Sequence, residues 1–211
     1  MNDITTIITP EVVAQLFGEY KFEVPLLSKL FDFEQLIKRE VYLDIEIDAK
    51  DGENLAALIR RYNQEDEKNN IPINERKPIK IYIDCFGGVV SAGMSMIDAI
   101  TLSKTPVYTI VTGVAYSMAG LLLMAGHKRF AYPSATFLLH NGSIEIMGDT
   151  SKVEDHIEFN KKYKSEIIKP FVLKCTKITN KQYDKNFRVE WFMTPLEMIN
   201  YGIVDEIYNE V

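Results

Sequence analysis

The chain has few residues of the kinds that build metal, redox or membrane chemistry. Only two cysteines, Cys85 and Cys175, occur in its 211 residues. No Cys-x-x-Cys and no Cys/His cluster is present, which argues against structural zinc. Two free thiols in a reducing cytosol are the expectation, and no metal site or cofactor motif is read from the chain. Basic residues are outnumbered, 24 against 30 acidic ones, for a net charge of -6. No basic stripe is present, so nucleic acid is not an expected partner. The longest apolar run, Val114 to Ala125, is too short and too rich in small residues for a membrane span. Met1, Asn2, Asp3 and Ile4 show no basic start followed by an apolar stretch, so no secretory signal is expected and the expected location is cytoplasmic. There is no internal repeat and no low-complexity tract.

What is present suits one globular domain: 46% of the residues are hydrophobic and 26% charged. Residues 1–30 read as a separate irregular arm, punctuated by Pro10 and Pro25, with a role in assembly or gating. From Val41 the pattern turns regular. Val41, Leu43, Ile45 and Ile47 alternate with polar residues, the period of a half-buried strand. A helix is read over Asn54–Tyr62, and a surface loop over Glu65–Pro78. Strands follow at Ile79–Ile83, Val107–Val111 and Thr136–Leu139, alternating with helices at Val89–Leu102 and Ser117–Ala125. This alternation predicts an α/β fold with right-handed parallel crossovers. Asp149 to Val172 reads as a long, charged, protruding helix. Thr194 with Glu197 forms a capping box, the helix stops at Gly202, and a last strand is read over Ile203–Tyr208.

Two strand-to-helix turns carry the chemistry. In Gly113-Val-Ala-Tyr-Ser117-Met-Ala-Gly120, a serine stands where a buried strand gives way to a buried helix. Its hydroxyl is exposed at the strand's carboxyl end, and the amide of Met118 is free to donate to an oxyanion. A plain helix cap accounts for Ser117 equally well. In Asp84-Cys-Phe-Gly87-Gly88-Val, the glycine pair lets a backbone approach closely, although a tight turn explains it too. Both turns point to the same edge of a parallel sheet. Of the three histidines, His156 reads as solvated and His127 as part of a surface turn. His140 ends an apolar strand at the edge where Ser117 and Gly88 gather, as either a general base or a structural histidine.

Together these pieces resemble a known family. Gly-x-Ala-x-Ser-Met, the upstream Gly-Gly-x-x-x-Ala-Gly-Met, the strand ending in His140, and the closing segment Phe192 to Ile207 are similar in order and spacing to the Clp protease proteolytic subunit. The likeness runs from about Phe31 to the C-terminus. It implies a spiral of βαβ units related to the crotonases, and a serine endopeptidase acting on unfolded polypeptide. Ser117 would be the nucleophile, His140 its base, and Gly88 and Met118 the oxyanion hole. Glu190 stands where the family has its triad aspartate, with Asp184 as a more distant substitute. Ser143, Ile144, Glu145 and Ile146 would form the substrate-binding strand. The resemblance further implies a homo-oligomeric ring, which can be stacked, and an AAA+ unfoldase partner.

The sequence also departs from the family. Glu190 replaces an aspartate, Val189 an arginine of ring–ring contacts whose part Arg188 could take, Phe86 a proline, and Asn141-Gly142 a Gln-Pro. These departures keep open an inactive scaffold subunit and, with the divergent N-terminus, a phage-type capsid-maturation protease. A crotonase-type acyl-coenzyme A enzyme is a third reading, disfavoured because such enzymes use carboxylates rather than a Ser/His pair.

Overall fold

The structure, a computed structural model, describes residues 35–143 and 146–209. The arm read over residues 1–30 lies outside them. The chain divides into two units, Met1–Lys38 and Arg39–Val211. In the first, residues 35–38 are helical. The second carries the sheet, the helices and Ser117.

Its frame is a parallel sheet. Strands β1 (Glu40–Leu43), β2 (Ile79–Cys85) and β3 (Val107–Tyr116) run side by side. Next come β4 (Lys128–Ala131) and the two-residue β7 (Glu206–Ile207), both parallel. β5 (Thr136–Leu139) pairs parallel with the end of β3 and antiparallel with β6 (Trp191–Met193). β2 shows why the sheet is two-faced. Ile79, Ile81, Ile83 and Cys85 are buried, while Lys80, Tyr82 and Asp84 between them are not. A period of two sends each set to its own face.

The buried face packs on helices α1 (Ala49–Lys68), α2 (Val90–Thr101) and α3 (Met118–Met124). Leu55, Ile59, Ile97 and Leu122 join Ile81 and Ile83 in one core. Gly52 lets α1 and α2 meet backbone to backbone, because a Cβ there would stand 2.9 Å from the Ala92 carbonyl. The opposite face carries a row of aromatic rings. Tyr42 stacks on Tyr82 at 5.0 Å, and Tyr132 stacks on Tyr208 at 5.5 Å.

α1 starts with a capping box, in which Asp48 accepts from the Asp51 amide at 2.8 Å and Asp51 from the Asp48 amide at 3.2 Å. It extends six residues past Tyr62, through Glu65–Lys68, which the sequence assigns to a loop. Tertiary contacts explain the extension. Asp66 is buried, accepts from Arg39 at 2.6 and 2.9 Å and from the Thr105 hydroxyl at 2.7 Å, and so ties the helix to β1 and β3. Asn63 adds bonds from the amides of Lys104 and Thr105. The loop proper is 69–78, with one 3-10 turn at Ile73–Glu75.

The long charged helix is present, but in three parts. α4 (Thr150–Tyr163) passes through a π-helical segment, Lys164–Ile168, into α5 (Lys169–Cys175). α6 (Asn180–Asn186), β4 and β6 are elements that the periodicity does not disclose. α7 (Pro195–Tyr201) opens as read. Glu197 accepts from the amide and hydroxyl of Thr194 at 2.9 Å each, and Gly202 closes the helix with φ 68°. Arg129 on β4 binds Asp205 in a fork, at 2.6 Å through its closest pair, and donates to the Gly202 carbonyl at 2.8 Å.

Burial works to raise the Asp66 pKa, but the hydrogen bonds from Arg39 and Thr105 outweigh it and hold the carboxyl below its ordinary value. The stability this contributes is therefore complete above about pH 4 and lost as pH falls through the depressed folded-state value. Asp66→Ala, which strands Arg39, should cost about 3–5 kcal/mol in urea unfolding at pH 7. The difference from wild type should shrink as the pH is taken below about 4; a constant difference down to the acid limit would mean that the ion pair is not its source.

Candidate active site

The double glycine is held between two neighbours. Gly88 makes a parallel bridge with Ile47, in which the Ile47 amide donates to Gly87 and the Val89 amide to Ile47, each at 2.8 Å. Both backbone groups that face Ile47 therefore belong to Gly87 and Val89, and the amide of Gly88 points to the other side. At Gly88, φ is 144° and a Cβ would collide with the Ile47 backbone. At Gly87, φ is 114° and a Cβ would lie 2.9 Å from both the Ser117 Cβ and the Tyr116 carbonyl, and 3.2 Å from the Met118 amide nitrogen. The buried Cys85 thiol braces the turn from below, donating to Ile45 at 2.9 Å and accepting from the Gly87 amide at 3.3 Å. Burial pushes that thiol's pKa up, so it is a structural group rather than a nucleophile.

Ser117 sits at φ 55°, ψ −120°, a conformation costly for any residue with a side chain. Its amide donates to Leu138 at 2.9 Å, and its carbonyl accepts from Leu121 at 3.2 Å. These bonds fix the sharp strand-to-helix turn on which the hydroxyl stands. Met118 is the first residue of α3, so its amide has no acceptor within the helix. Gly87 thus brings its turn against Ser117 and the Met118 amide, while Gly88, one residue on, is not among the residues lining the cleft that Ser117 lines.

β3 reaches this position through an irregularity. Between Val111 and Ala115 it carries two residues more than β2 does between Ile83 and Cys85. Asp84 fills the gap in the ladder by accepting from the Val114 amide at 2.9 Å. Gly113 lies against that carboxylate with no room for a Cβ. The other edge of β3 pairs first with β4 and then with β5. On the exposed side, Phe86 packs edge-on against Tyr116 at 5.6 Å, and Tyr116 against Phe192 at 5.7 Å.

Ser117 and His140 line one cleft of about 290 Å³, together with Met118, Leu121, Ser143 and Lys164. No hydrogen bond joins Ser117 to His140 among the described residues, and the buried Nε2 of His140 has no hydrogen-bond partner among them either. Glu190 is exposed and does not line the cleft. The register relates it to His140 nonetheless: β5 and β6 pair Phe137 with Met193, Leu138 with Phe192 and Leu139 with Trp191. One further step would set His140 opposite Glu190. Asp184, in contrast, is paired to Lys169 at 2.6 Å.

Of the substrate-binding segment, Ser143 lines the cleft and Ile146 is partly buried, neither in a strand; Ile144 and Glu145 lie outside the described residues. Arg188 and Val189 are exposed. His127 accepts from the Val107 amide at 2.9 Å, a structural role, and His156 is exposed on α4. Among the described residues no group of three or more His, Cys, Asp or Glu could hold a metal ion, and no helix is long and apolar enough to cross a membrane. Sequence reasoning missed Lys164, Asn160, Tyr163 and Phe187 as cleft residues. The first three come from the helical segment after β5 and Phe187 from the end of α6, whose orientations no local pattern reveals.

The Clp protease family model matches residues 31–211. The chain belongs to the Clp protease family. It is also 32% identical over 139 residues to the ATP-dependent Clp protease proteolytic subunit of Deinococcus radiodurans, covering 65% of this chain and 68% of that protein. The parallel sheet with its helices agrees with that family's fold.

Crowding at the glycine turn gives a stability test. Gly87→Ala should cost about 1–3 kcal/mol or more, because strain and collision add. Gly142 is also left-handed, with φ 69°, but nothing lies within 4 Å of a Cβ there. Gly142→Ala should cost only about 1 kcal/mol. Equal losses in denaturant melts would show that Ser117 and Gly87 do not press on each other.

Proposed function

We propose that this member of the Clp protease family is a proteolytic subunit: a serine endopeptidase that cleaves unfolded polypeptide by acyl transfer through Ser117. The observation that carries the reading is the strained Ser117, held on a strand-to-helix turn ahead of the orphan amide of Met118 and sharing its cleft with His140. A protein does not keep a side-chain-bearing residue in such a conformation without compensation, and strain of this kind clusters at active sites.

In the proposed mechanism the Ser117 Oγ attacks the scissile carbonyl carbon while His140 Nε2 takes its proton. The carbonyl oxygen becomes an oxyanion and accepts from the amides of Gly88 and Met118. His140 then returns the proton to the leaving amine, and the acyl–Ser117 ester remains. Water, deprotonated by His140, hydrolyses that ester and restores the serine. Glu190 accepts from the other imidazole nitrogen and stabilises the cation formed at each step. The substrate backbone lies along the segment from Ser143 to Ile146 as an added strand. The family also supports a homo-oligomeric assembly and a Clp ATPase partner, and two unpaired cysteines suit a cytoplasmic location.

A second reading has one observation in its favour. Glu190 is exposed and makes no hydrogen bond to His140 among the described residues. A subunit in which that contact never forms is a scaffold without chemistry. Catalytic hydrogen bonds are often long in unliganded enzymes and tighten on binding, so the resting geometry fits both readings.

A fluorophosphonate probe should label Ser117, and Ser117→Ala should lower hydrolysis of unstructured peptides by about 10⁴-fold or more. Mass spectrometry of the labelled chain locates the adduct. Absence of labelling in the assembled protein, with no peptide hydrolysis at any pH, would leave the scaffold reading standing.

A further inference from the structure

The cleft beside Ser117 has an uneven lining. Val90, Leu121 and Ile168 make part of it apolar. Among its described lining residues there is no aspartate or glutamate, and the only lysine or arginine is Lys164. Its Nζ donates to the Asn141 side-chain carbonyl at 2.9 Å. An ammonium has three donors, and no carboxylate pairs with this one among the described residues. Burial lowers the Lys164 pKa, and no acidic neighbour among the described residues offsets it. A partly buried cation in this condition gains most from an anion that enters with the substrate.

Backbone geometry presents the group. Lys164 is the first residue of the π-helical segment that interrupts α4 and α5, and π-bulges recur at functional sites. Asn160, Tyr163, Lys164 and Ile168 all face the cleft from this stretch. An adjoining groove shares Asn141, Asn160, Lys164 and Phe187 with the cleft, and adds Lys161 and Arg188. Its one lining carboxylate, Asp184, is already held by Lys169. Among the described residues, the charge available to a ligand along this path is positive.

We propose that Lys164 makes the cleft a subsite for an acidic side chain, so that the chain cleaves preferentially beside glutamate or aspartate. The proposal rests on the peptidase reading above and names its substrate class. Lys164 is a specificity residue here: it touches the substrate side chain and takes no proton from Ser117.

Internally quenched peptides that differ only in the residue donating the acyl group (Glu, Gln or Lys) test it on the full-length protein. The wild type should show kcat/KM about tenfold higher for Glu than for Gln, and lower still for Lys. Lys164→Met should bring the Glu/Gln ratio near one, and Lys164→Glu should favour the Lys peptide. A wild-type ratio near one, or a ratio that Lys164→Met leaves intact, overturns the proposal. So does equal loss of all three activities in Lys164→Met, since Lys164 would then act in the chemistry. Total inactivity of the wild type would sink the peptidase reading alone. Fluorescence polarisation with Ser117→Ala then decides about Lys164. Tighter binding of the Glu than the Gln peptide, lost on adding Lys164→Met, supports the subsite; equal binding overturns it.

Discussion

Two close approaches at one glycine pair constrain everything around the site. Gly88 lies so near the Ile47 backbone, and Gly87 so near Ser117, that no side chain fits on either. The first approach ties the end of β2 to the segment after β1. The second brings the start of α3 against the turn. A pair of glycines is the cheapest way to fill both positions, since each has a positive φ and the absence of Cβ is needed for space as well as for conformation. The outward amide of Gly88 and the orphan amide of Met118 follow from that arrangement without any further residue being spent on them.

The strain at Ser117 is offset by ordinary hydrogen bonds elsewhere. β3 must pair with β4 along its first half and with β5 along its second. Near that changeover, on its other edge, β3 carries two extra residues against β2, and Asp84 accepts the Val114 amide there. Beyond this point Ser117 donates to Leu138 on β5. β5 therefore holds the serine and, one residue past its last pair, carries His140. The same strand that stabilises the strained turn also brings the imidazole into its cleft.

Much of this was legible in the sequence because it is local. Ile79, Ile81 and Ile83 alternate cleanly, and two successive strand-to-helix turns in a parallel sheet have to emerge at one edge, which is how Gly87 and Ser117 come together. The family likeness was legible for the same reason, in contiguous motifs. The hidden parts depend on distant partners. Lys128–Ala131 is a strand because β3 and β7 flank it, although Lys128 and Arg129 give it no apolar alternation. Trp191–Met193 is a strand because β5 lies opposite. Glu65–Lys68 is helical because Asp66 finds Arg39 and Thr105. Lys164 faces the cleft from a π-helical segment, and a search at the α-helical period has no means of detecting one.

The relation of Glu190 to His140 is the point at which register becomes chemistry. The antiparallel pairing stops at Leu139 and Trp191. Trp191 is anchored edge-on to Tyr201 at 4.9 Å, which fixes the start of β6. At the other end, Phe187 stacks on Tyr183 at 4.4 Å and ends α6. Between these two aromatic anchors lie only Arg188, Val189 and Glu190, all exposed. In the proposed mechanism, Glu190 would reach the imidazole by a change within those three residues. That would add one rung, His140 opposite Glu190, to the existing ladder. Of the three residues proposed as the triad, Glu190 is therefore the one carried on an exposed link, while Ser117 and His140 are held by β5 and the core.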